Sequence, residues 1–283
     1  MSGPSTSQTP ACYRHPQRTT YVRCTRCDRY ICGECMRVSP VGHQCAECVE
    51  EGARTVRQPT LQFGGQQLSP TPVVTIALIG VNVLAFILQI ALPGLTREFA
   101  LSAPGVADGQ VYRLVTSAFL HYGVTHLLLN MWGLYVVGTP LETLLGQVRY
   151  VALYALSALG GSVLVYLISP LDSLTAGASG AVFGLFGALA VVANRLKVDV
   201  RWIVAVIAIN LAFNFAAPAM GSGPISWQAH VGGLVTGALV AAAFVYAPRE
   251  RRTQIQVGTT AVLLVIFVAL IWWRTTVLLP LMA

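Results

Sequence analysis

The sequence predicts an all-α polytopic membrane protein preceded by a small metal-stabilised module. Three observations carry that expectation. Hydrophobic residues make up 55% of the 283-residue chain and charged residues only 10%, where a soluble domain carries roughly 25% charge. Mean hydropathy is +0.65, and six long apolar runs, enough for seven spans, follow residue 71. All seven cysteines lie between Cys12 and Cys48. Such a composition excludes a disordered chain, a coiled coil and a protein that coats nucleic acid. The formal charge of +7 reads first as a topology signal.

The cysteines come first in the chain. Their spacing is Cys12-x2-His15-x8-Cys24-x2-Cys27-x4-Cys32-x2-Cys35-x9-Cys45-x2-Cys48. A two-residue gap lets both side chains of a turn face one ion, and zinc takes four soft or borderline ligands as a tetrahedron. Eight ligands in four pairs therefore suit two zinc ions. A disulfide framework fits poorly, because the cysteine count is odd and His15 completes the fourth pair. His43 breaks the pair rhythm and stays outside the expected shell. Arginines 14, 18, 23, 26, 29 and 37 stud this segment; they read as a solvated basic face beside anionic headgroups rather than a nucleic-acid site. Thiolate ligands belong in a reducing compartment, so this end is expected in the cytoplasm. No signal-peptide pattern precedes it. Residues 51–71 are polar, with Gly64-Gly65 and Pro70, and read as a linker.

A helix needs about 20 apolar residues to cross the hydrocarbon core. The expected spans are Pro72–Leu92, Leu114–Leu141, Tyr150–Leu171 and Ser173–Asn194. The run Trp202–Pro248 is too long for one crossing. It breaks at Pro218 and Gly221-Ser222-Gly223-Pro224, giving helices near 202–217 and 226–247, and Thr253–Trp273 is the seventh. No internal repeat supports an inverted-repeat transporter. With the N-terminus inside, 15 Lys and Arg fall on inside segments and 3 outside, in agreement with the zinc argument. The loop from Pro93 to Arg113 is long for a hairpin and is expected to pack sideways against the membrane face.

Ionisable groups in lipid mark function by default. His126 and Asn130 are four apart and share a helix face; two N–H donors on one stripe suit an anionic oxygen. His121 lies at the same depth. Gly177-Ala178-Ser179-Gly180 opens the fourth span. There the glycines leave Ser179 uncrowded at a helix N-terminus, its own N–H at the positive end of the helix dipole. Gly180-x3-Gly184 and, after His230, Gly233-x3-Gly237 are small-residue faces that bring helices close. That approach is what a Ser179–His230 hydrogen bond requires. No carboxylate nearby in sequence orients His230, so a Ser-His dyad is the economical reading. Asn210 and Asn214 share a face of the fifth span and read as ordinary interhelical bonding groups.

These motifs resemble the rhomboid family of intramembrane serine proteases: His121-x4-His126-x3-Asn130, Gly138-x3-Glu142, Gly177-Ala178-Ser179-Gly180 and Ala229-His230-x2-Gly233-x3-Gly237. The resemblance covers roughly residues 72–250. It implies a six-helix rhomboid core with a seventh C-terminal transmembrane helix. Ser179 is then the nucleophile, His230 the base, and His126, Asn130 and the Ser179 N–H the oxyanion donors. His121, Phe183, Gly177, Gly180, Gly233 and Gly237 support them. Two departures are Tyr112-Arg113 where the family often has Trp-Arg, and Phe183 where it often has Tyr. The cysteine pattern resembles B-box and related treble-clef modules, which interleave their pairs. On that analogy Cys12, His15, Cys32 and Cys35 share one zinc, and Cys24, Cys27, Cys45 and Cys48 the other. Similar basic zinc extensions precede some bacterial rhomboids.

The expected organisation is a zinc module over 1–50, a linker over 51–71, a protease core over 72–250 and a further transmembrane helix over 251–283. The expected activity is endoproteolysis of transmembrane substrates in the bilayer, with no cofactor needed for the chemistry. The expected location is a bacterial plasma membrane, N-terminus cytoplasmic and C-terminus outside, with an unknown cytoplasmic partner for the zinc module. The competing readings are a rhomboid-like protein that binds membrane helices without cutting them, a zinc-sensing receptor or transporter, and a zinc module with a membrane anchor. Both reacting groups are present, the spans lack paired carboxylates, and seven spans exceed what an anchor needs.

Overall fold

The structure, a computed structural model, describes residues 9–55, 61–65, 71–216 and 225–282. The breaks expected at Pro218 and 221–224, and Pro70 of the linker, lie outside the described residues. The chain forms two compact units that divide between Pro59 and Thr60.

The first unit holds an antiparallel hairpin, β1 (Met36–Ser39) and β2 (Gly42–Cys45), followed by α1 (Ala46–Thr55). Its interior is cysteine: Cys12, Cys24, Cys32, Cys35, Cys45 and Cys48 are buried with Ile31. Helix α1 runs past the module boundary expected at residue 50. Its first turn carries Glu47 and its last Arg54, each complementing the helix dipole, and Arg54 pairs with Glu50 one turn back at 2.8 Å.

The second unit begins with α2 (Val73–Ala91). Three short helices follow, α3 (Leu95–Phe99), α4 (Ala103–Ala107) and α5 (Arg113–Thr116), then a 3-10 turn over Ser117–Phe119. The long helices come next: α6 (Val124–Leu145), α7 (Gln147–Ile168), α8 (Ser179–Arg195), α9 (Arg201–Ala216), α10 (Trp227–Tyr246) and α11 (Arg252–Met282). Among the described residues four helical segments are long and apolar enough to cross a membrane: Val73–Ala91, Gln147–Ile168, Trp227–Tyr246 and Arg249–Pro280. Helix α6 matches them in length at 22 residues but interrupts its apolar surface with His126, Asn130 and Glu142. Helices α8 and α9 are apolar and shorter, at 17 and 16 residues.

Two expected spans need correction. The second does not run from Leu114. Residues 113–119 belong to the short helices, and α6 starts only at Val124, because Gly123 takes φ +139, a conformation open to glycine. The fourth starts at Ser179 rather than Ser173, because Gly177 takes φ +143 and turns the chain into the helix.

Helix α8 lies at the centre. Its buried face holds Gly180, Ala181, Phe183, Gly184, Leu185, Gly187 and Ala188, and α7 and α10 pack closely against it. Glycine sets those distances. A Cβ at Gly233 or Gly237 would collide with the carbonyl of Gly180 or Gly184 respectively, and one at Gly161 would lie 2.7 Å from the Ala229 carbonyl oxygen. Helix α2 is peripheral, with only Thr75 and Asn82 buried. Its N-terminus is capped from α6: Glu142, buried, accepts hydrogen bonds from the N–H groups of Val74 (2.9 Å) and Thr75 (2.8 Å). The Thr75 hydroxyl bridges Glu142 (2.8 Å) and the Tyr150 hydroxyl (3.1 Å). That cap satisfies donors a helix start leaves unpaired.

The loop from Pro93 to Arg113 is a folded element. Leu101, Ala103, Val106, Ala107 and Leu114 pack on Val165 and Tyr166 of α7 and Leu278 of α11. Arg113 is buried and donates to the carbonyls of Arg97 (2.9 Å) and Ala100 (2.7 Å) and to Gln110 Oε1 (2.6 Å). Leu101 pairs with Thr175 through two 2.9 Å backbone bonds, which ties the loop to the segment leading into Ser179.

Candidate active site

Four helix ends meet in the second unit. Ser179 is the first residue of α8, so its N–H has no intrahelical carbonyl to bond. His230 lies in the first turn of α10 and is buried. Its Nε2 is 2.8 Å from Ser179 Oγ. The Phe183 ring lies flat on the imidazole, centroids 4.1 Å apart and planes 9° from parallel. Hydroxyl and imidazole are at hydrogen-bonding distance, and the glycine contacts between α8 and α10 allow it.

His126 comes from the first turn of α6. The backbone N–H of Tyr122 donates to its Nδ1 at 3.3 Å, so the neutral ring carries its proton on Nε2. That edge faces the Gly177 turn: a Cβ built on Gly177 would lie 3.0 Å from His126 Nε2 and 3.5 Å from Ser179 Oγ. A donor and the hydroxyl thus flank one small space. Asn130 is buried, and its Nδ2 donates to the His126 carbonyl at 2.9 Å. Among the described residues no bond joins Asn130 to Ser179. His121 is buried with its ring edge-on to His126 at 5.1 Å. Gln89 of α2 brackets the His121 backbone, accepting from its N–H at 2.9 Å and donating to its carbonyl at 3.3 Å. A cavity of about 20 Å³, lined by Ser117, Ser162, Thr175, Gly177, Gly180 and Ala229, has room for about one water.

One residue of the site is not marked by sequence. Asn214, near the end of α9, is buried, and its side-chain Nδ2 is 2.9 Å from His230 Nδ1. Its helical neighbour Asn210 is exposed and donates back to the Val206 carbonyl at 2.8 Å. The expectation of interhelical bonding fails for Asn210, which bonds its own helix, and holds for Asn214, whose partner across the helix pair is the imidazole.

In the first unit the cysteines and His15 gather into two groups, Cys12, His15, Cys32, Cys35 and Cys24, Cys27, Cys45, Cys48, with the ligand atoms of each within 4.8 Å of one another. No cysteine is in a disulfide. Four sulfurs at zinc distance stand about 3.8 Å apart along a tetrahedron edge. Cys27 Sγ and Cys45 Sγ are 3.8 Å apart, and His15 Nδ1 is 3.3 and 3.4 Å from the sulfurs of Cys32 and Cys35. The donor set and its spacing fit zinc. Backbone N–H groups of Cys45 and Cys48 donate to the sulfurs of Cys24 (3.2 Å) and Cys45 (3.3 Å). The Arg29 guanidinium donates to Cys27 Sγ at 3.3 Å, which holds that thiol below its ordinary range. His43 lies outside both groups. Four of the six arginines pair with carboxylates of the same unit, Arg18 with Glu34, Arg23 with Asp28, Arg26 with Glu51 and Arg29 with Glu47, so the basic face is largely neutralised internally.

Comparison with known proteins gives one consistent relationship. The family model for the rhomboid domain matches residues 108–247. The chain is 36% identical over 183 residues to the rhomboid protease GluP of Bacillus subtilis (strain 168), covering 61% of this chain and 35% of GluP. It is 36% identical over 141 residues to a candidate rhomboid protease of the same organism, YdcA, covering 48% of this chain and 68% of YdcA. RHOMBOID-like protein 1 of Arabidopsis thaliana is 36% identical over 148 residues, with 50% of this chain and 36% of that protein covered. The chain thus spans about a third of GluP and about two thirds of YdcA.

Proposed function

The chain belongs to the rhomboid family and is an integral membrane protein, and on that premise we propose that it is an intramembrane serine endopeptidase. The observation that carries the reading is the 2.8 Å contact between Ser179 Oγ and His230 Nε2 at a helix N-terminus with unpaired donors. The names of the relatives support the protease class.

In the proposed reaction His230 Nε2 takes the hydroxyl proton as Ser179 Oγ attacks the substrate carbonyl. The carbonyl oxygen gains the negative charge. The Ser179 N–H and the His126 Nε2–H face that oxygen, with the second Nδ2 hydrogen of Asn130 as a further donor; one such donor is typically worth about 2.7–4 kcal/mol of barrier. Collapse of the tetrahedral species breaks the C–N bond, and His230 gives its proton to the departing amine. Water then attacks the acyl-enzyme with His230 again as base, which returns the hydroxyl to Ser179. Phe183 keeps the ring plane fixed through both halves. The substrate is a transmembrane segment that unwinds at the cut, because a helical peptide bond is shielded by its own hydrogen bonds.

The same reading gives a six-helix core, α2 and α6 to α10, with α11 added. The zinc module faces the cytoplasm and the C-terminus lies outside, in a bacterial plasma membrane. The Cys12 and Cys24 tetrads hold one zinc each, which supplies folding free energy to a unit too small for a large core and no chemistry to the cut. The test is cleavage of a fluorogenic transmembrane-helix substrate by purified protein, with Ser179→Ala and His230→Ala alongside. Loss of cleavage in both is expected; parent-like rates in both overturn the assignment.

A further inference from the structure

Helix α9 is loosely embedded: only Ile203 and Asn214 are buried along its 16 residues. One of those two is a polar amide. Burying an amide is costly unless it is hydrogen-bonded, and the partner here is the nitrogen of His230 that faces away from Ser179, 2.9 Å distant. The imidazole is thus held on three sides, by Ser179 on Nε2, Asn214 on Nδ1 and Phe183 on its face. The titratable group felt at His230 from another element is His126. Among the described residues no carboxylate, lysine or arginine bonds the ring.

We propose that Asn214 is a positioning residue that completes a Ser179–His230–Asn214 relay, an inference that rests on the proteolytic reading above. A neutral imidazole has one N–H, and the group at Nδ1 decides where it sits. With the Asn214 carbonyl oxygen toward the ring, Nδ1 keeps the proton and Nε2 presents a lone pair to the Ser179 hydroxyl, as a general base must. In the orientation of the structure Nδ2 faces Nδ1, so the ring proton sits on Nε2 and the base is blocked; the productive orientation is a half-turn of this amide, which exchanges two atoms of nearly equal size. The productive amide orientation also serves the next step. When Nε2 takes the serine proton the ring is an imidazolium, and the Nδ1–H still donates to Asn214 Oδ1; the proton on Nε2 then leaves with the amine, and Asn214 itself never gains or loses one. Since α9 contributes nothing else to the reacting set, its seating and the readiness of His230 are coupled.

The experiment uses full-length protein in phosphatidylcholine vesicles with the fluorogenic transmembrane-helix substrate. Asn214→Ala and the near-isosteric Asn214→Leu are expected to lower kcat about ten- to a hundredfold, within the range set by general-base catalysis, with KM within twofold. Asn214→Asp offers only acceptors to Nδ1 and is expected to recover most of kcat. Its carboxylate favours the imidazolium, so the acid limb of the kcat profile moves to higher pH by about one unit. A purely structural role predicts that a buried Asp is no better than Ala and leaves the limb in place. Asp no better than Ala, or Ala and Leu within twofold of the parent, overturns the proposal. Melting temperatures in detergent separate loss of fold from loss of base. Ser179→Ala runs in parallel: its continued activity sinks the protease reading itself, whereas an inactive Ser179→Ala beside a fully active Asn214→Ala sinks only the relay.

Discussion

A single methyl group at Gly161 should disarm the site without touching any reacting residue. Gly161 lies on α7, and a Cβ there would stand 2.7 Å from the Ala229 carbonyl oxygen and 3.5 Å from Gly180 Cα. Ordinary contact begins at 3.4 Å; the neighbour must therefore yield by about 0.7 Å, the difference of the two distances. The neighbour is backbone, the residue immediately before His230. If α10 moves by that amount away from α7, the Ser179–His230 separation can grow from 2.8 Å to about 3.5 Å, beyond the useful range of an O–H···N bond. Misplacement of about 1 Å can lower a rate about a hundredfold, so Gly161→Ala is expected to lower kcat by about ten- to a hundredfold. Overpacking should reduce stability by about 1–3 kcal/mol. The assay is vesicle cleavage kinetics beside a thermal melt, with Gly133→Ala as comparison, where the clash at 3.1 Å is with the tip of Val182 and can be relieved by a rotamer change. Parent-like kcat in Gly161→Ala, or a greater loss in Gly133→Ala, refutes the idea that glycine contacts set the reacting distance.

Three further expectations follow from the same geometry. His126→Ala removes an oxyanion donor and should lower kcat about a hundred- to a thousandfold with little change in KM; a loss confined to KM contradicts the role. Glu142→Gln replaces one acceptor oxygen of the α2 cap with an NH2 group facing backbone donors, at a cost of about 1–3 kcal/mol, read as a lower melting temperature with kcat per folded molecule near the parent's. Metal analysis of reduced, chelator-free protein should return about two zinc per chain, with about one in Cys27→Ser and about one in Cys35→Ser, because the tetrads are separate; loss of both ions in either variant argues against independent sites.

Much of this arrangement is legible in sequence because its cause is local. The approach of α8 to α10 is written in Gly180-x3-Gly184 and Gly233-x3-Gly237, since small residues leave little else between backbones. The cysteine pairs announce themselves through two-residue gaps. Helix starts leave a fainter mark. A hydropathy window continues smoothly through Leu114 to Val124, and only the positive φ of Gly123 stops the helix there. Contacts between distant elements leave no local mark at all. Glu142 reads as a polar residue near the end of a span, and nothing in its neighbourhood says that its partners are Val74 and Thr75. Asn214 looks like its neighbour Asn210 until α9 and α10 are packed, at which point one amide meets an imidazole and the other its own helix.

Helix α2 has few holds on the rest of the fold. One end is fastened by Glu142, and near the other Gln89 grips the backbone of His121. Between them one side rests on the core through Val74, Leu78, Ile79 and Phe86, and most of the rest of the helix is exposed. A thicker or thinner bilayer therefore strains a rod pinned at both tips, and the far tip is clamped to the histidine beside the oxyanion pocket. On the proposed reading, the cleavage rate is therefore expected to vary with lipid chain length.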